Sequence, residues 1–301
     1  MKRRRGDAQL ASRPLSQAGA GSRTAVISVA QLAWQEPGDG QHERTAAIAA
    51  EALRTGSDVV VLPELAIPGY TTERAVLERF AEPLDGPATR AWRQVAAATD
   101  GYIIGGFCER ADGKLYNTAV AVGAQGVILH YRKAHLFADE KDVLAPGNLG
   151  FPVAETRLGI LGVCVCYDLR FVEVARLLAL QEAEFVCVPA AWIGGYDRRQ
   201  PDGGAWPDQV TGLLVQANLN QIFVAAASFA GSGGRFLGSS VIADPYGRSL
   251  AGPLTRDEEE VAAARADLQA TVAAQHRSQL IHPREDRRSD IYRIEYRGRY
   301  Y

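Results

Sequence analysis

The sequence predicts an α/β fold, in which buried strands alternate with helices along the chain. Residues 160–165 are apolar or glycine and contain no turn signal, which is typical of a strand buried on both faces. After Phe171 the apolar residues follow helical spacing instead. The segments 63–70 and 189–196 match each other in a proline, an isoleucine, a glycine and a tyrosine, so the two halves are predicted to be two copies of one β-α-β unit.

The first half begins with that unit and continues with further strands. Gly56 ends the first helix, and glycines flank the turn of a β-hairpin near residue 125. In chain order the predicted elements are a strand at 25–31, a helix at 41–55, a strand at 58–62, a helix at 86–99, and strands at 102–107, 117–123 and 127–132.

The second half repeats the alternation after the central strand. The Asp-Pro-Tyr-Gly sequence at 244–247 is typical of a turn. The acidic cluster 257–260 is predicted to be a solvated turn without a function. In chain order the predicted elements are a strand at 160–165, a helix from 171, a valine-rich strand before Pro189, a helix at 208–219, and strands at 221–229 and 237–243.

Composition indicates a globular chain in a reducing compartment. Of the 301 residues, 47% are hydrophobic and 23% are charged, and four cysteines are too few for a disulfide framework. A net charge of −2 gives no electrostatic reason to expect nucleic acid as a partner. No apolar run approaches the roughly 20 residues of a membrane span, so we expect no membrane association and a cytoplasmic location.

The predicted domain organisation has three parts. Residues 1–22, rich in Ala, Gly, Ser and Arg, are expected to be a disordered tail. Residues 23–275 are expected to form one catalytic domain. Residues 276–301 carry many Arg and Tyr residues with little helical periodicity, and we expect this extension to lie at a subunit interface.

Three reactive side chains follow three predicted strands: Glu64, Lys133 and Cys166. Cys166 could act as a nucleophile, since N–H groups at a helix start favour a thiolate. A buried Glu64 could take its proton, and Lys133 could stabilise an oxyanion and favour the thiolate. Taken singly, a buried thiol and a Glu–Lys ion pair are the commoner explanations, and the combination at three strand ends favours catalysis.

These residues stand in motifs that resemble the nitrilase, or carbon–nitrogen hydrolase, superfamily, and the resemblance runs from about residue 24 to residue 266. The motifs are Pro63-Glu64 with Pro68-Gly69-Tyr70, then Tyr131-Arg132-Lys133-Ala134-His135-Leu136-Phe137, and then Cys166-Tyr167-Asp168-Leu169-Arg170-Phe171. The resemblance implies an αββα sandwich that dimerises to a four-layer αββααββα core. It also implies a catalytic triad of Glu64, Lys133 and Cys166, with Glu140 as a second carboxylate that orients Lys133 and helps to handle the attacking water.

The sequence departs from the family pattern in two places. Residues 216–220 read Gln-Ala-Asn-Leu-Asn where many members have Arg-Ala-x-Glu-Asn, and Val172 stands where many have proline. We interpret these departures as changes in packing, and they leave the subfamily open.

The expected reaction is acyl transfer through a thioester on Cys166, with the backbone N–H of Tyr167 as a second oxyanion donor. It requires no metal ion and no cofactor, and the five histidines show no metal-ligand spacing. The expected partners are a small-molecule amide substrate and further copies of the chain in a homodimer or higher homo-oligomer. The residues expected to shape the substrate pocket are Tyr70, His135, Phe137, Tyr167, Trp192 and Ile193.

We expect an amidase that converts small aliphatic amides to carboxylic acid and ammonia. A nitrilase and an N-carbamoyl amide hydrolase share the triad, and Arg198 or Arg199 in the polar loop at 197–208 could clamp the carboxylate of a carbamoyl substrate. Outside this enzyme class, the alternatives are a scaffold protein that retains the fold and a thiol redox protein that uses Cys164 and Cys166.

Overall fold

The computed structural model describes residues 23–196, 206–231 and 233–301. The predicted tail at 1–22 and most of the loop at 197–208 lie outside the described residues. The strands are β1 Thr24–Ala33, β2 Val59–Val61, β3 Tyr102–Ala111, β4 Lys114–Gly123, β5 Gly126–Arg132, β6 Val153–Glu155, β7 Ile160–Val163, β8 Phe185–Pro189, β9 Phe223–Ala227, β10 Phe229–Ala230, β11 Val241–Ala243, β12 Ser249–Ala251, β13 Glu260–Asp267, β14 Glu295–Tyr296 and β15 Arg299–Tyr300. The helices are α1 Gln41–Arg54, α2 Arg74–Phe80, α3 Pro87–Thr99, α4 Glu140–Val143, α5 Val172–Leu180, α6 Asp208–Asn220 and α7 Gln269–Gln275.

Two sheets stack face to face. The first has the order β10-β1-β2-β3-β4-β5, with β13 also paired to β1, and the second has the order β12-β11-β9-β8-β7-β6. In the first sheet β1, β2 and β3 run parallel, and in the second β7, β8 and β9 run parallel. The unit β1-α1-β2 thus corresponds to β7-α5-β8, which is the β-α-β duplication that the sequence predicts.

The central strands of the first sheet are buried on both faces because they separate two hydrophobic cores. In β2, Val59 and Val61 pack into the core between the sheets, whereas Val60 packs into the core under the helices α1 and α3. Helices α5 and α6 contribute residues to the inter-sheet core from the second sheet's side. The result is the αββα sandwich predicted from the resemblance.

Several strands are shorter than predicted because the backbone turns within the apolar run. The expected strand at 237–243 is reduced to β11, since Gly238 and Ser239 have φ of 52° and 60°. The expected strand at 221–229 is divided at Ser228, whose N–H donates to Ser240 Oγ at 2.9 Å. Its first part stays in the second sheet as β9, and its end crosses to the first sheet as β10.

The structure also contains elements that the sequence pattern does not reveal, namely the helices α2, α4 and α7 and the strands β6, β12, β13, β14 and β15. The acidic cluster 257–260, which the sequence predicts to be a solvated turn, makes contacts with the rest of the fold. Its Glu260 opens β13, its Glu259 pairs with Arg44, and the carbonyl of Glu258 accepts a hydrogen bond from Gln31 Nε2 at 2.9 Å.

The C-terminal extension packs against its own chain. Arg284 donates to the carbonyl of Asn220 at 3.1 Å and lies 3.7 Å from the carboxylate of Glu182. The Tyr296 hydroxyl accepts a hydrogen bond from the N–H of Phe151. A role at a subunit interface remains a prediction. Among the described residues, no helix has both the length and the apolar character needed to cross a bilayer.

Candidate active site

Four predicted catalytic residues meet where the two sheets end. Glu64 follows β2, Lys133 follows β5, Glu140 begins α4, and Cys166 lies just beyond β7. The N–H of Glu64 donates to the carbonyl of Ala190 after β8, at 3.2 Å, and so joins the ends of the two sheets. Because parallel strands end at a common edge, residues distant in sequence converge here.

Lys133 is the centre of this cluster. Its Nζ lies 2.6 Å from Glu64 Oε1, 2.9 Å from Glu140 Oε1 and 2.8 Å from Glu140 Oε2. The three side chains are fully buried, with 0% side-chain exposure each. One ammonium and two carboxylates therefore share a dry site.

Two further side chains hold the carboxylates, and no sequence pattern predicts this supporting role for either of them. Asn117 Nδ2 on β4 donates to Glu64 Oε1 at 2.7 Å. The Tyr70 hydroxyl donates to Glu140 Oε1 at 2.9 Å. Contact of Tyr70 with substrate stays a prediction, and its hydrogen bond to Glu140 adds a positioning role. Asn117 is the first residue of a predicted strand and belongs to none of the motifs, and only the β4–β5 pairing places it beside Lys133.

Glu64 has the electrostatic character of a general base. Burial is the largest effect on the pKa of Glu64 and raises it, and the negative charge of Glu140 raises it further. The positive charge of Lys133 and hydrogen bonds with Lys133 and the Cys166 thiol lower it. The resulting pKa is about 7. Glu64 Oε2 accepts no hydrogen bond in good geometry from any residue that the structure describes. Burial alone would lower the pKa of Lys133, but Glu64 and Glu140 outweigh that effect and raise it, so the lysine stays charged.

Cys166 differs from the expected thiolate. Burial raises its pKa well above the usual range, the charge of Glu64 raises it further, and Lys133 and the backbone N–H of Ala191 oppose the shift without cancelling it. The resting group is therefore a thiol beside a base, and not a preformed thiolate. The pKa differs from the expected one chiefly because burial disfavours the charged thiolate, and the charges of Glu64 and Glu140 add to this effect.

The backbone is strained at or near three of the four predicted catalytic residues. Cys166 itself has a φ of 46° at the start of the 3₁₀ turn Cys166–Arg170, Leu65 after Glu64 has a φ of 45°, and Ala138 before Glu140 has a φ of 43°. Non-glycine residues rarely adopt this left-handed region, and such strain is concentrated at functional sites. The sharp turn at Cys166 also explains why β7 ends at Val163 rather than at 165.

Asp168 fixes the cysteine turn. Its carboxylate accepts hydrogen bonds from the N–H of Val165 at 3.0 Å, the hydroxyl of Tyr131 at 2.7 Å and the N–H of His135 at 3.0 Å. His135 Nδ1 lies 2.8 Å from the same carboxylate, and its ring stacks on Phe171 at 3.7 Å. These contacts give His135 a supporting role at the cysteine turn, and its contact with substrate stays a prediction.

The other predicted pocket residues surround the site to different degrees. Phe137 meets the rings of Tyr167 and Tyr196 edge-on at 5.1 and 4.8 Å, and its N–H donates to Glu140 Oε2 at 2.8 Å. Trp192 is buried in the inter-sheet core, while Ile193 is partly exposed. Contact of Phe137, Tyr167, Trp192 and Ile193 with substrate stays a prediction. Arg198 and Arg199 lie outside the described residues.

The remaining cysteines have other surroundings. Cys108, Cys164 and Cys187 are buried free thiols, and Cys166 alone among the four is partly exposed. Burial raises the pKa of Cys164, with smaller contributions from Asp168 and Cys187, whereas Glu64 and Lys133 act on Cys166. The two cysteines of the redox alternative thus face different groups.

Known carbon–nitrogen hydrolases resemble this chain over most of its length. The carbon–nitrogen hydrolase family model matches residues 23–276. A nitrilase of Pyrococcus abyssi is 35% identical over 76% of this chain and 84% of its own. An omega-amidase of Xenopus laevis is 34% identical over 81% and 88% of the two chains, and an (R)-stereoselective amidase of a Pseudomonas species is 32% identical over 74% and 79%.

Solved structures share the fold. A carbon–nitrogen hydrolase from Helicobacter pylori G27 superposes with a TM-score of 0.74 at 26% identity and covers 90% of this chain and 97% of its own. An amidase of Nesterenkonia AN1 superposes with a TM-score of 0.72 at 23% identity, over 91% and 97% of the two chains. With the family model matching most of its length, the chain belongs to the carbon–nitrogen hydrolase family of the nitrilase superfamily and is a hydrolase.

Proposed function

We propose that the enzyme is an amidase that hydrolyses small aliphatic amides to a carboxylic acid and ammonia. The observation that carries the proposal is the convergence of a thiol, a carboxylate with a pKa near neutrality and a buried ammonium: Cys166, Glu64 and Lys133. A nucleophile, a base and a cation are the groups that acyl transfer through a thioester requires.

Acylation starts when the Cys166 sulfur attacks the carbonyl carbon of the amide while its proton moves to Glu64. Since the pKa of Glu64 is about 7, an appreciable fraction is ionised at neutral pH and able to accept this proton. Glu64 then returns the proton to the amine as the carbon–nitrogen bond breaks. The products of this half-reaction are ammonia and a thioester on Cys166.

The oxyanion of the tetrahedral intermediate needs donors placed in advance. The N–H of Tyr167 lies in the first turn of a 3₁₀ helix, where backbone donors lack intrahelical partners. Lys133 contacts both oxygens of Glu140, so it can exchange one of these contacts for the oxyanion and still keep two carboxylate neighbours. We therefore assign the oxyanion to Lys133 Nζ and the Tyr167 N–H.

Deacylation uses the same groups, with water in place of the thiol as the proton donor and the Cys166 sulfur as the leaving group. Glu64 takes a proton from water, which attacks the thioester carbon, and returns it to the Cys166 sulfur as the acid leaves. Glu140, held by Tyr70 and Lys133, keeps the ammonium oriented during both steps.

The aromatic rings around the thiol support a small acyl group. The ring of Phe137 contacts those of Tyr167 and Tyr196 edge-on, and Tyr167 directly follows the cysteine, so these bulky rings favour a small substrate. Two of the similar proteins are named amidases, which agrees with an amide substrate. The similarity to a nitrilase at 35% identity makes nitrile hydrolysis the second candidate.

Ammonia release from a panel of substrates tests the proposal. The panel contains propionamide, butyramide, the matching nitriles and N-carbamoyl amino acids. We expect the amides to give the highest kcat/KM. Faster turnover of nitriles or carbamoyl compounds would reject the amidase assignment and leave the roles of Glu64, Lys133 and Cys166 intact.

A further inference from the structure

A second cluster of potential ligands lies at the start of the C-terminal extension. His276 directly follows α7, and its N–H donates to the carbonyl of Val272 at 3.0 Å. The N–H of Arg277 donates to the carbonyl of Ile281 at 3.0 Å and closes a turn. This turn brings His276 and His282 side by side, with 2.9 Å between their Nδ1 atoms.

The hydrogen bonds of His282 determine which of its nitrogens carries the proton. Its Nε2 lies 3.3 Å from the carbonyl oxygen of Gln279. A carbonyl only accepts, so Nε2 is the donor, and in the neutral ring Nδ1 presents its lone pair to His276. A histidine that binds a metal ion usually donates its other N–H to a carbonyl or carboxylate in this way.

The backbone around His282 is also fixed. Its N–H donates to the Asp286 carboxylate at 2.8 Å, and the N–H of Asp286 donates back to the carbonyl of His282 at 2.8 Å. Glu285 lies within this short loop, and its carboxylate oxygen is within 4.8 Å of both ring nitrogens. Two imidazole nitrogens and one carboxylate oxygen, all potential metal ligands, thus lie within 4.8 Å of one another at the protein surface.

We infer that His276, His282 and Glu285 form a divalent metal site that binds Zn²⁺, with water completing the coordination. Two imidazole nitrogens and one carboxylate are a ligand set that zinc uses. Tetrahedral Zn–N bonds of about 2.0–2.1 Å require nitrogens about 3.3 Å apart, which a small rotation of the two rings provides. The H-x₅-H-x₂-E spacing matches no single-helix pattern, so the site depends on the turn at 277–281.

Metal binding at this site connects the end of α7 to the beginning of the extension. Since the ligand positions exist only in the folded chain, zinc should raise the stability of the native state by mass action. The site uses none of the residues assigned to amide hydrolysis and is independent of the proposed function.

Isothermal titration with ZnCl₂ tests the inference on the full chain, purified without a histidine tag. The Cys166→Ala background removes the accessible thiol, which could itself bind zinc. His276→Ala, His282→Ala and Glu285→Gln remove ligands one at a time. Asp290→Asn is the matched control, because it removes an exposed carboxylate of the same extension that pairs with Arg288. MgCl₂ is the control ion, since Mg²⁺ prefers oxygen ligands.

We expect one zinc ion per chain, weak or undetectable binding of Mg²⁺, and a melting temperature that rises with zinc. Each histidine variant should weaken zinc binding by on the order of 10-fold or more, and the Asp290→Asn control should bind like its parent. Unfolding curves recorded without metal verify that every variant is folded. Absence of zinc uptake, or equal uptake by the parent and His276→Ala, would overturn the inference and leave the two rings as a hydrogen-bonded pair.

Discussion

At the scale of single residues, Glu64 must be ionised to accept the proton of Cys166. Its pKa is about 7, raised chiefly by burial, so the base is lost as the pH falls below neutrality. We expect kcat/KM for an amide to rise with pH through a single transition near 7. The pKa values of Lys133 and Cys166 are raised, so no loss is expected at moderately alkaline pH.

A pH–rate profile from about pH 5 to about pH 9 measures this transition. The control is a circular dichroism spectrum at each pH, which separates titration of the base from unfolding. A profile that is flat, or that falls as the pH rises through 7, would argue against Glu64 as the base.

Alkylation should single out Cys166. It is the partly exposed cysteine of the four, and the other three lie in apolar interiors. A limiting amount of iodoacetamide should modify Cys166 first and remove activity in proportion, and the rate should increase with pH as Glu64 becomes able to accept the thiol proton. Peptide mapping decides the order of labelling. Earlier labelling of Cys108, Cys164 or Cys187 with activity retained would refute the assignment.

Substitution of Tyr70 tests whether its hydroxyl supports Glu140 in catalysis. Tyr70→Phe removes the hydrogen bond to Glu140 and keeps the ring, so we expect kcat to fall by on the order of 10-fold with a smaller change in KM. Tyr116→Phe is the matched control, because that ring packs on Arg132 and its hydroxyl bonds to no residue that the structure describes. Equal kinetic losses in both variants would show that the hydroxyl of Tyr70 has no special role.

At the scale of elements, two glycines allow neighbouring backbone segments to pack directly against the segments that carry Lys133 and Glu64. A Cβ on Gly147 would lie 2.0 Å from the carbonyl oxygen of Arg132 and 2.9 Å from that of Lys133. A Cβ on Gly106 in β3 would lie 2.6 Å from the backbone nitrogen of Leu65, next to Glu64. Both contacts are with backbone, which cannot rotate away.

Gly147→Ala and Gly106→Ala should therefore displace Lys133 and Glu64. We expect each to lower kcat/KM by about 10- to 100-fold and the free energy of unfolding by about 1–3 kcal/mol. Gly212→Ala in α6 is the control, since its Cβ would meet no atom within 4 Å and should stabilise the helix by up to about 1 kcal/mol. Steady-state kinetics and urea unfolding measure both effects. Parent-like kinetics in Gly147→Ala would show that the strand end tolerates displacement.

Sequence patterns predict most of the buried elements, because alternating apolar runs and helical spacing are local signals. They locate β1 and α1 to within two residues, and they identify the hairpin β4–β5. They fail for β13, in which Ala264 and Ala266 are buried while Ala263 and Arg265 are exposed, because small alanine side chains on both faces give only a weak alternation signal. They also fail where a single strained residue ends a strand, as Cys166 does beyond β7.

For the candidate site, too, the sequence predicts some residues and not others. The reactive residues Glu64, Lys133 and Cys166 are visible because each follows a predicted strand, and the resemblance adds Glu140. The supporting contacts of Asn117, Tyr70 and Asp168 depend on which loops the two sheets bring together. The raised pKa of Cys166 could not be predicted either, since it depends on the balance of buried charges.

At the scale of the whole molecule, apolar side chains remain on the surface of the chain. Leu280 is 88% exposed and Ile291 70% exposed in the extension, and Val172 on α5 and Leu219 on α6 are 61% and 51% exposed. Exposed apolar side chains of this size are the kind that a subunit interface covers. The prediction of a homodimer therefore rests on these residues together with the family resemblance.

Deleting residues 284–301 should lower the assembly state or the stability while leaving the triad in place. The deletion removes Ile291 and the contacts of Arg284 with Asn220 and Glu182. Light scattering on the full chain and the truncated chain measures the assembly state. A full-length chain that is monomeric would contradict a role of the extension at an interface.

The central claim is that the Cys166 thiol attacks the amide. The most direct test is the rate of ammonia release from propionamide by Cys166→Ala, measured beside Cys164→Ala, which removes a thiol two residues away. With Cys166 as the nucleophile, Cys166→Ala should be soluble and should lose on the order of 10⁴-fold or more in kcat, while folded Cys164→Ala keeps most of its activity. Ammonia release by Cys166→Ala at a rate near that of the parent would contradict the account.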